Sequence, residues 1–305
     1  WGVLCSALFW IRPWHSWTRQ AANRVEDLLT HYVDPTIALA SSANALATAS
    51  MSGEFECGDR ILVKSEHLVN SPGASPSESV WWLVHAGFMR FFEARYEDAL
   101  RFMHQACRLA EQNGMRKTFV MCIYHRCAIE FRVLGWTVAG ATLAEMETIP
   151  GSRYPMAEAM LRLLQARRAG SLGRREEAAE LAELTHATTL KIGSIYQEML
   201  FGLLEADILL EAGRTEQAGS LIGRSRALIE RAPVFDCWRA ALSFMEAWLA
   251  FAERNQGLVL DRLKTSLALA KGGKRKNYLR HFECAMPPLF RLALEEGIGP
   301  PNTVI

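Results

Sequence analysis

Apolar positions along this chain recur at three- and four-residue steps in one segment after another, the spacing of helices with one buried face. The clearest example begins at Phe91-Phe92-Glu93-Ala94-Arg95-Tyr96. It predicts the end of one helix, a tight turn, and a second helix folded back on the first. Tyr96, Ala99, Leu100, Met103, Cys107 and Ala110 form the apolar face of that second helix. Tyr96 would fill the junction, and Ala99 is small where the two helices must approach closely.

The same turn returns at Gly53-Glu54-Phe55-Glu56-Cys57-Gly58, Leu134-Gly135-Trp136-Thr137-Val138-Ala139-Gly140, Leu172-Gly173-Arg174, Ala212-Gly213-Arg214 and, degraded, Glu253-Arg254-Asn255-Gln256-Gly257. Taking the small residue of the second helix as a marker gives positions 58, 99, 140, 178, 218 and 259, with steps of 41, 41, 38, 40 and 41. Twelve residues before each marker stand Leu46, Gly87, Ala128, Ala166, Ala206 and Ala247. Small residues at both crossing positions let paired helices pack at a repeated angle. A coordinated period near 40 predicts a helical-repeat array. Asp34-Pro35 opens the helix from Thr36 to Met51, Ser77 or Ser79 is placed to cap the next, and Gly114, Gly151, Gly193 and Gly272 are stops. The last helical segment, Tyr278 to Glu296, reads as interrupted at Pro287-Pro288 and as a cap for the array.

The expected fold class is therefore all-α, a right-handed superhelical solenoid of about six helical hairpins. The expected segments are 1–35 (N-terminal helices), 36–276 (repeats) and 277–305 (capping helix and tail). Trp1 in place of Met reads as a chain continuing upstream, with Trp1 to Ile11 as the last helix of that part. Pro13 breaks this apolar run short of the roughly 18 residues a membrane span needs.

Composition narrows the function classes. With 34 Lys+Arg against 33 Asp+Glu, net charge asks for neither nucleic acid nor an anionic membrane. Seven scattered cysteines in apolar helical patterns are the usage of a reducing cytoplasm. No Gly-x-x-x-x-Gly-Lys-Ser/Thr phosphate loop is present.

The turn pattern resembles tetratricopeptide repeats, with Gly53/Phe55/Gly58 and Ala94/Tyr96/Ala99 as the best local matches. The longer period resembles the repeat region of large bacterial ATP-binding transcriptional regulators of the maltose-activator type. Trp1-Gly2-Val3-Leu4 with Pro13-Trp14, Asn70-Ser71-Pro72-Gly73-Ala74-Ser75-Pro76 and Leu292-Ala293-Leu294-Glu295-Glu296-Gly297-Ile298 are similar to its opening, first inter-repeat loop and exit helix. Gly299-Pro300-Pro301 departs from the linker expected there. The resemblance implies a sensor arm whose nucleotide-binding and DNA-binding domains lie outside this chain.

It also implies that the first helix of each hairpin lines the binding face, at positions eleven and fifteen before the marker. These are Val84 and Phe88, His125 and Ile129 with Arg132, Leu163 and Arg167, Leu203 and Asp207, and Phe244 and Trp248. Such a groove would be aromatic at both ends with Arg132, Arg167 and Asp207 between, orienting charges in an apolar site.

Other candidate chemistry is thinner. In Cys122-x-x-His125-x-Cys127 the two cysteines lie about 500° apart around a helix, and no second pair completes a tetrahedral site. Eight histidines are dispersed one per element without a catalytic companion. Lys271 to Lys276 with Arg280 is a basic cluster that reads as a solvated loop after a helix end. The expectation is a non-catalytic arm without cofactor or metal. Its partner would be a protein or peptide, with a small-molecule inducer as a further candidate, DNA reached only through another domain, and no membrane. The alternative is a free-standing scaffold or peptide receptor.

Overall fold

The computed structural model describes residues 2–31, 34–149, 154–270, 278–279, 281–282 and 284–298. The basic cluster at 271–276 with Arg280, the stops at Gly151 and Gly272, and Gly299-Pro300-Pro301 lie outside these. Among the described residues there is no strand, and the chain is an all-α helical-repeat solenoid in class. It divides into two compact units, Trp1–Ala157 and Glu158–Ile305.

The first unit opens with α1 (Gly2–Ile11) and α2 (Trp17–Leu29), followed by three hairpins: α3 (Pro35–Ser52) with α4 (Phe55–Ser65), α5 (Pro76–Phe92) with α6 (Tyr96–Gln112), and α7 (Arg116–Leu134) with α8 (Trp136–Thr148). Asp34 caps α3 as expected, accepting from the N–H groups of Thr36 and Ile37 at 2.9 and 3.1 Å. The cap position of α5 is Ser75, with Pro76 opening the helix. Ser79 is inside it and donates instead to the carbonyl of Val69 at 3.0 Å.

The second unit holds α9 (Pro155–Ser171) with α10 (Arg175–Ile192), α11 (Ile195–Glu211) with α12 (Thr215–Arg231), α13 (Arg239–Ala252) with α14 (Gln256–Ala270), and α15 (Met286–Glu295). Pro287 and Pro288 do not interrupt a helix. They stand in the first turn of α15, where a missing N–H costs nothing. Of the residues described before them, Tyr278, Leu279 and His281 have 3-10 character.

Most hairpin turns are one device. Arg95 N–H reaches the carbonyl of Arg90 at 2.9 Å while Ala94 N–H reaches Phe91 at 3.0 Å. The same pair of bonds recurs at Arg174/Gly173, Arg214/Gly213 and Asn255/Arg254. This is the glycine-type helix stop, whose inner residue must take a positive φ. Gly173 and Gly213 do so without a Cβ, but Ala94 (φ 62°) and Arg254 (φ 59°) occupy the same seat.

The α7–α8 turn differs. Gly135 alone links the two helices, so this turn is two residues shorter than that between Phe92 and Tyr96. Aligning Phe131 and Trp136, stacked 4.2 Å apart, with Phe91 and Tyr96 puts Ala139 where Ala99 stands. Ala139 is the fully buried packing residue, not Gly140. The markers become 58, 99, 139, 178, 218 and 259, with the more even steps 41, 40, 39, 40 and 41. Close approach at these joints is real: a Cβ on Gly87 would stand 2.8 Å from Met103 Cε and 3.3 Å from the Ala99 carbonyl.

Candidate functional site

The residues fifteen before each marker are not exposed. Val84, Leu163, Leu203 and Phe244 are all buried, and among the first helices α5 packs against α3 and α7, and α11 against α13. Of the residues eleven before the marker, Ile129 is buried and Phe88 half-buried. The corrected register puts Tyr124 and Ala128, rather than His125 and Ile129, at the positions equivalent to Val84 and Phe88. Arg132, half-buried, donates to the carbonyl of Ala128 in its own helix at 2.7 Å.

In the first unit, then, these positions gather rings. Phe88 meets the edge of His125 at 4.6 Å between centroids, and Tyr124 lies 5.0 Å from the same imidazole. Trp81 stacks on His85. Nδ1 of His85 and of His125 finds no hydrogen-bond partner. Burial lowers both imidazoles, His85 to about 4 and His125 to about 3, the latter also by its proximity to His85. Both are neutral at pH 7.

In the second unit two of the three positions eleven before the marker carry charge, and all three are buried: Arg167 to 6% exposure, Asp207 to 2% and the aromatic Trp248 to 6%. Their cover is the chain's own segment ahead of α15. Arg167 Nη2 donates to the carbonyl of His281 at 2.6 Å. The Asp207 carboxylate accepts from the N–H groups of Cys284 and Ala285 at 3.2 and 3.0 Å. Tyr278 meets Trp238 edge-to-face at 4.7 Å, within a cluster that includes Tyr196 and Phe235. Farther on, Phe290 of α15 covers Phe244 at 5.6 Å. Two charged side chains on neighbouring first helices thus hold main-chain groups of that segment, a form of recognition that does not read side-chain identity.

The cover is incomplete. A part-open cleft of about 330 Å³ lies beside the segment, lined by Arg167, Asp207, Arg175, Glu211, Cys284 and Pro287 among others. An open cleft of about 860 Å³, also edged by Arg175 and Glu211, runs to Trp248, Phe251 and Leu292. Arg175 and Glu211 pair at 2.7 Å across their shared edge. Trp248 stacks on Phe251 at 5.4 Å, and its indole N–H has no partner.

Elsewhere in this unit Glu205 is fully buried, and its carboxyl lies 3.1 Å from Nδ1 of His186. Burial pushes it up to about 7, with His186 opposing. Cys127 Sγ donates to the Ala139 carbonyl and Cys122 is buried. Among the described residues no group of three or more His, Cys, Asp or Glu could hold a metal ion. No helix among them is long and apolar enough to cross a membrane.

Sequence reasoning found Arg167 and Asp207 but missed what lies on them. Tyr278, Leu279 and Phe282 stand at i, i+1 and i+4, a spacing that fits a helix, and the double proline was the one signal that α15 starts only after them.

No family model matches the chain, and no curated protein matches it by sequence. Among solved structures it is similar to NprR in complex with its cognate peptide NprX, at 13% identity and a TM-score of 0.55, over 92% of this chain and 79% of that one. The apo form of the quorum sensor NprR from B. thuringiensis gives 14% identity and a TM-score of 0.45, over 94% and 78%. At such identity the likeness is one of fold: this chain shares the tetratricopeptide-like helical-hairpin build.

Proposed function

We propose that the chain is a non-catalytic sensing arm of a signal-responsive transcription regulator, and that the first helices of the second unit recognise an extended peptide. The observation that supports this is the holding of main-chain carbonyl and N–H groups by Arg167 and Asp207. Main-chain recognition on a helical-hairpin face gives affinity for a peptide, while neighbouring clefts select side chains. One solved structure of similar fold, NprR, holds its cognate peptide, which is a property of that protein and lends this reading its direction. The finer reading, a maltose-activator type regulator with ATP-binding and DNA-binding domains beyond this chain, rests on the sequence segments alone. So do a small-molecule inducer and a cytoplasmic location.

The test is a peptide-array screen on the whole chain, followed by calorimetry of the best binders. A peptide should bind, and in a Phe282→Ala background, which loosens the chain's own cover on both residues, Asp207→Ala and Arg167→Ala should each weaken it tenfold or more. Unchanged binding by both variants removes this face from consideration. The flanking reading frame separates regulator from scaffold: a phosphate-binding loop upstream or a DNA-binding domain nearby supports the regulator, and their absence from the complete gene favours a free-standing receptor.

A further inference from the structure

A helix that closes a solenoid covers the last hairpin. The segment ahead of α15 goes further. It reaches Asp207 on α11 and Arg167 on α9, residues 77 and 114 positions earlier in sequence. Three properties set it apart from ordinary core. Its contacts to these side chains are made through main-chain atoms. Among its described residues there is no α-helix, only 3-10 character at Tyr278, Leu279 and His281. A part-open cleft of about 330 Å³ remains beside it. These are the marks of a bound ligand rather than of a packed element.

We propose that the stretch containing Tyr278, Phe282, Cys284 and Ala285 is an intramolecular ligand, which fills the peptide-recognition face of the second unit until a peptide of like chemistry displaces it. This rests on the peptide-sensing reading and specifies it. The displacing peptide carries two aromatic residues four apart, corresponding to the fully buried Tyr278 and Phe282. They are followed by two main-chain N–H groups for Asp207 and accompanied by a carbonyl for Arg167. Tethering gives the segment an effective concentration in the millimolar range. The affinity of an outside peptide therefore falls by the fraction of molecules in which the face is open. A prolyl peptide is a poor competitor if its ring falls at either of the two N–H positions.

The experiment measures fluorescence anisotropy of a labelled synthetic peptide spanning residues 278–288 against the whole chain. Phe282→Ala loosens the tethered segment by removing an aromatic anchor. Ala285→Pro deletes one N–H held by Asp207 and leaves the aromatic anchors in place, so it serves where Phe282→Ala fails to fold. Either variant should bind the labelled peptide at least tenfold more tightly than the unaltered chain, and added Asp207→Ala should reverse the gain. Hydrogen exchange read by mass spectrometry on the unaltered chain should show residues 278–285 losing protection when unlabelled peptide is in excess. Equal binding by variant and unaltered chain overturns the proposal while leaving peptide sensing in place. No binding by folded variants, with residues 278–285 as protected as α11, makes the segment fixed core and overturns it too. Peptide sensing then stands or falls on the array screen.

Discussion

The two units put different chemistry on their first helices. In the first, α5 and α7 bring together Phe88, Tyr124 and two imidazoles, each one position after the row of Val84 and Tyr124, whose Nδ1 atoms have no partner. In the second, α13 carries the aromatic Trp248, while α9 and α11 carry a guanidinium and an acid that both hold main-chain groups. A buried polar group without a partner is a cost, and a buried charge with partners is an anchor. The repeat therefore specifies how helices pack and leaves each face free to differ. It is the second unit that has the means to grip a chain.

The sharpest way to break this contrast is to exchange the polar groups for apolar ones in each unit. Asp207→Ala leaves two N–H groups of the covering segment without their acceptor and should cost about 3 kcal/mol. His125→Phe removes an unpartnered imbalance from an aromatic setting and should cost less than about 1 kcal/mol. Urea denaturation of the two variants measures both. Equal losses would show that the imidazole is held by something the geometry does not show.

The units should also respond to pH in opposite directions. His85 and His125 are depressed in the folded state, so the unfolded chain binds their protons first. Their contribution is complete above about 6.5 and is lost as pH falls toward 4 and 3. Glu205 is raised, so its contribution is complete below about 4.5 and is lost as pH rises through about 7. Hydrogen exchange followed peptide by peptide between pH 5 and 8 should show α11 loosening at the alkaline end. Glu205→Gln should abolish that slope while leaving the response of α5 and α7 unchanged.

The smallest effect concerns the turns. Ala94 in the first unit sits at a positive φ that Gly173 adopts freely in the second. Ala94→Gly should stabilise by about 0.5–1 kcal/mol, and Gly173→Ala should destabilise by a similar amount. Thermal melts of the two single variants should move in opposite directions by a few degrees.

Much of the fold was legible because its joints are local. A turn residue, a ring two or three positions on, and a small residue after that lie within one short stretch, so Tyr96 with Ala99 could be matched to their relatives by eye. At the third joint Gly135 does not hold the seat of Ala94: Phe131 and Trp136 keep the spacing of Phe91 and Tyr96, which puts Leu134 in that seat and the packing residue at Ala139, one position before the count from the glycine. The site was half legible. A charge on an otherwise apolar helix marks Arg167 and Asp207, but burial of the neighbouring row, Val84 through Phe244, depends on tertiary packing. Pairings across 77 and 114 residues leave no period to read.

Those separations also set an order of events during synthesis. At about 5–20 residues per second, Arg167 leaves the ribosome on the order of ten seconds before His281 does. The first unit and the α9–α10 hairpin can be complete while the face of α9 and α11 still has no cover. The nascent chain thus passes through a stage in which Arg167 and Asp207 are already in place and the main-chain groups of His281, Cys284 and Ala285 that they hold in the finished chain do not yet exist.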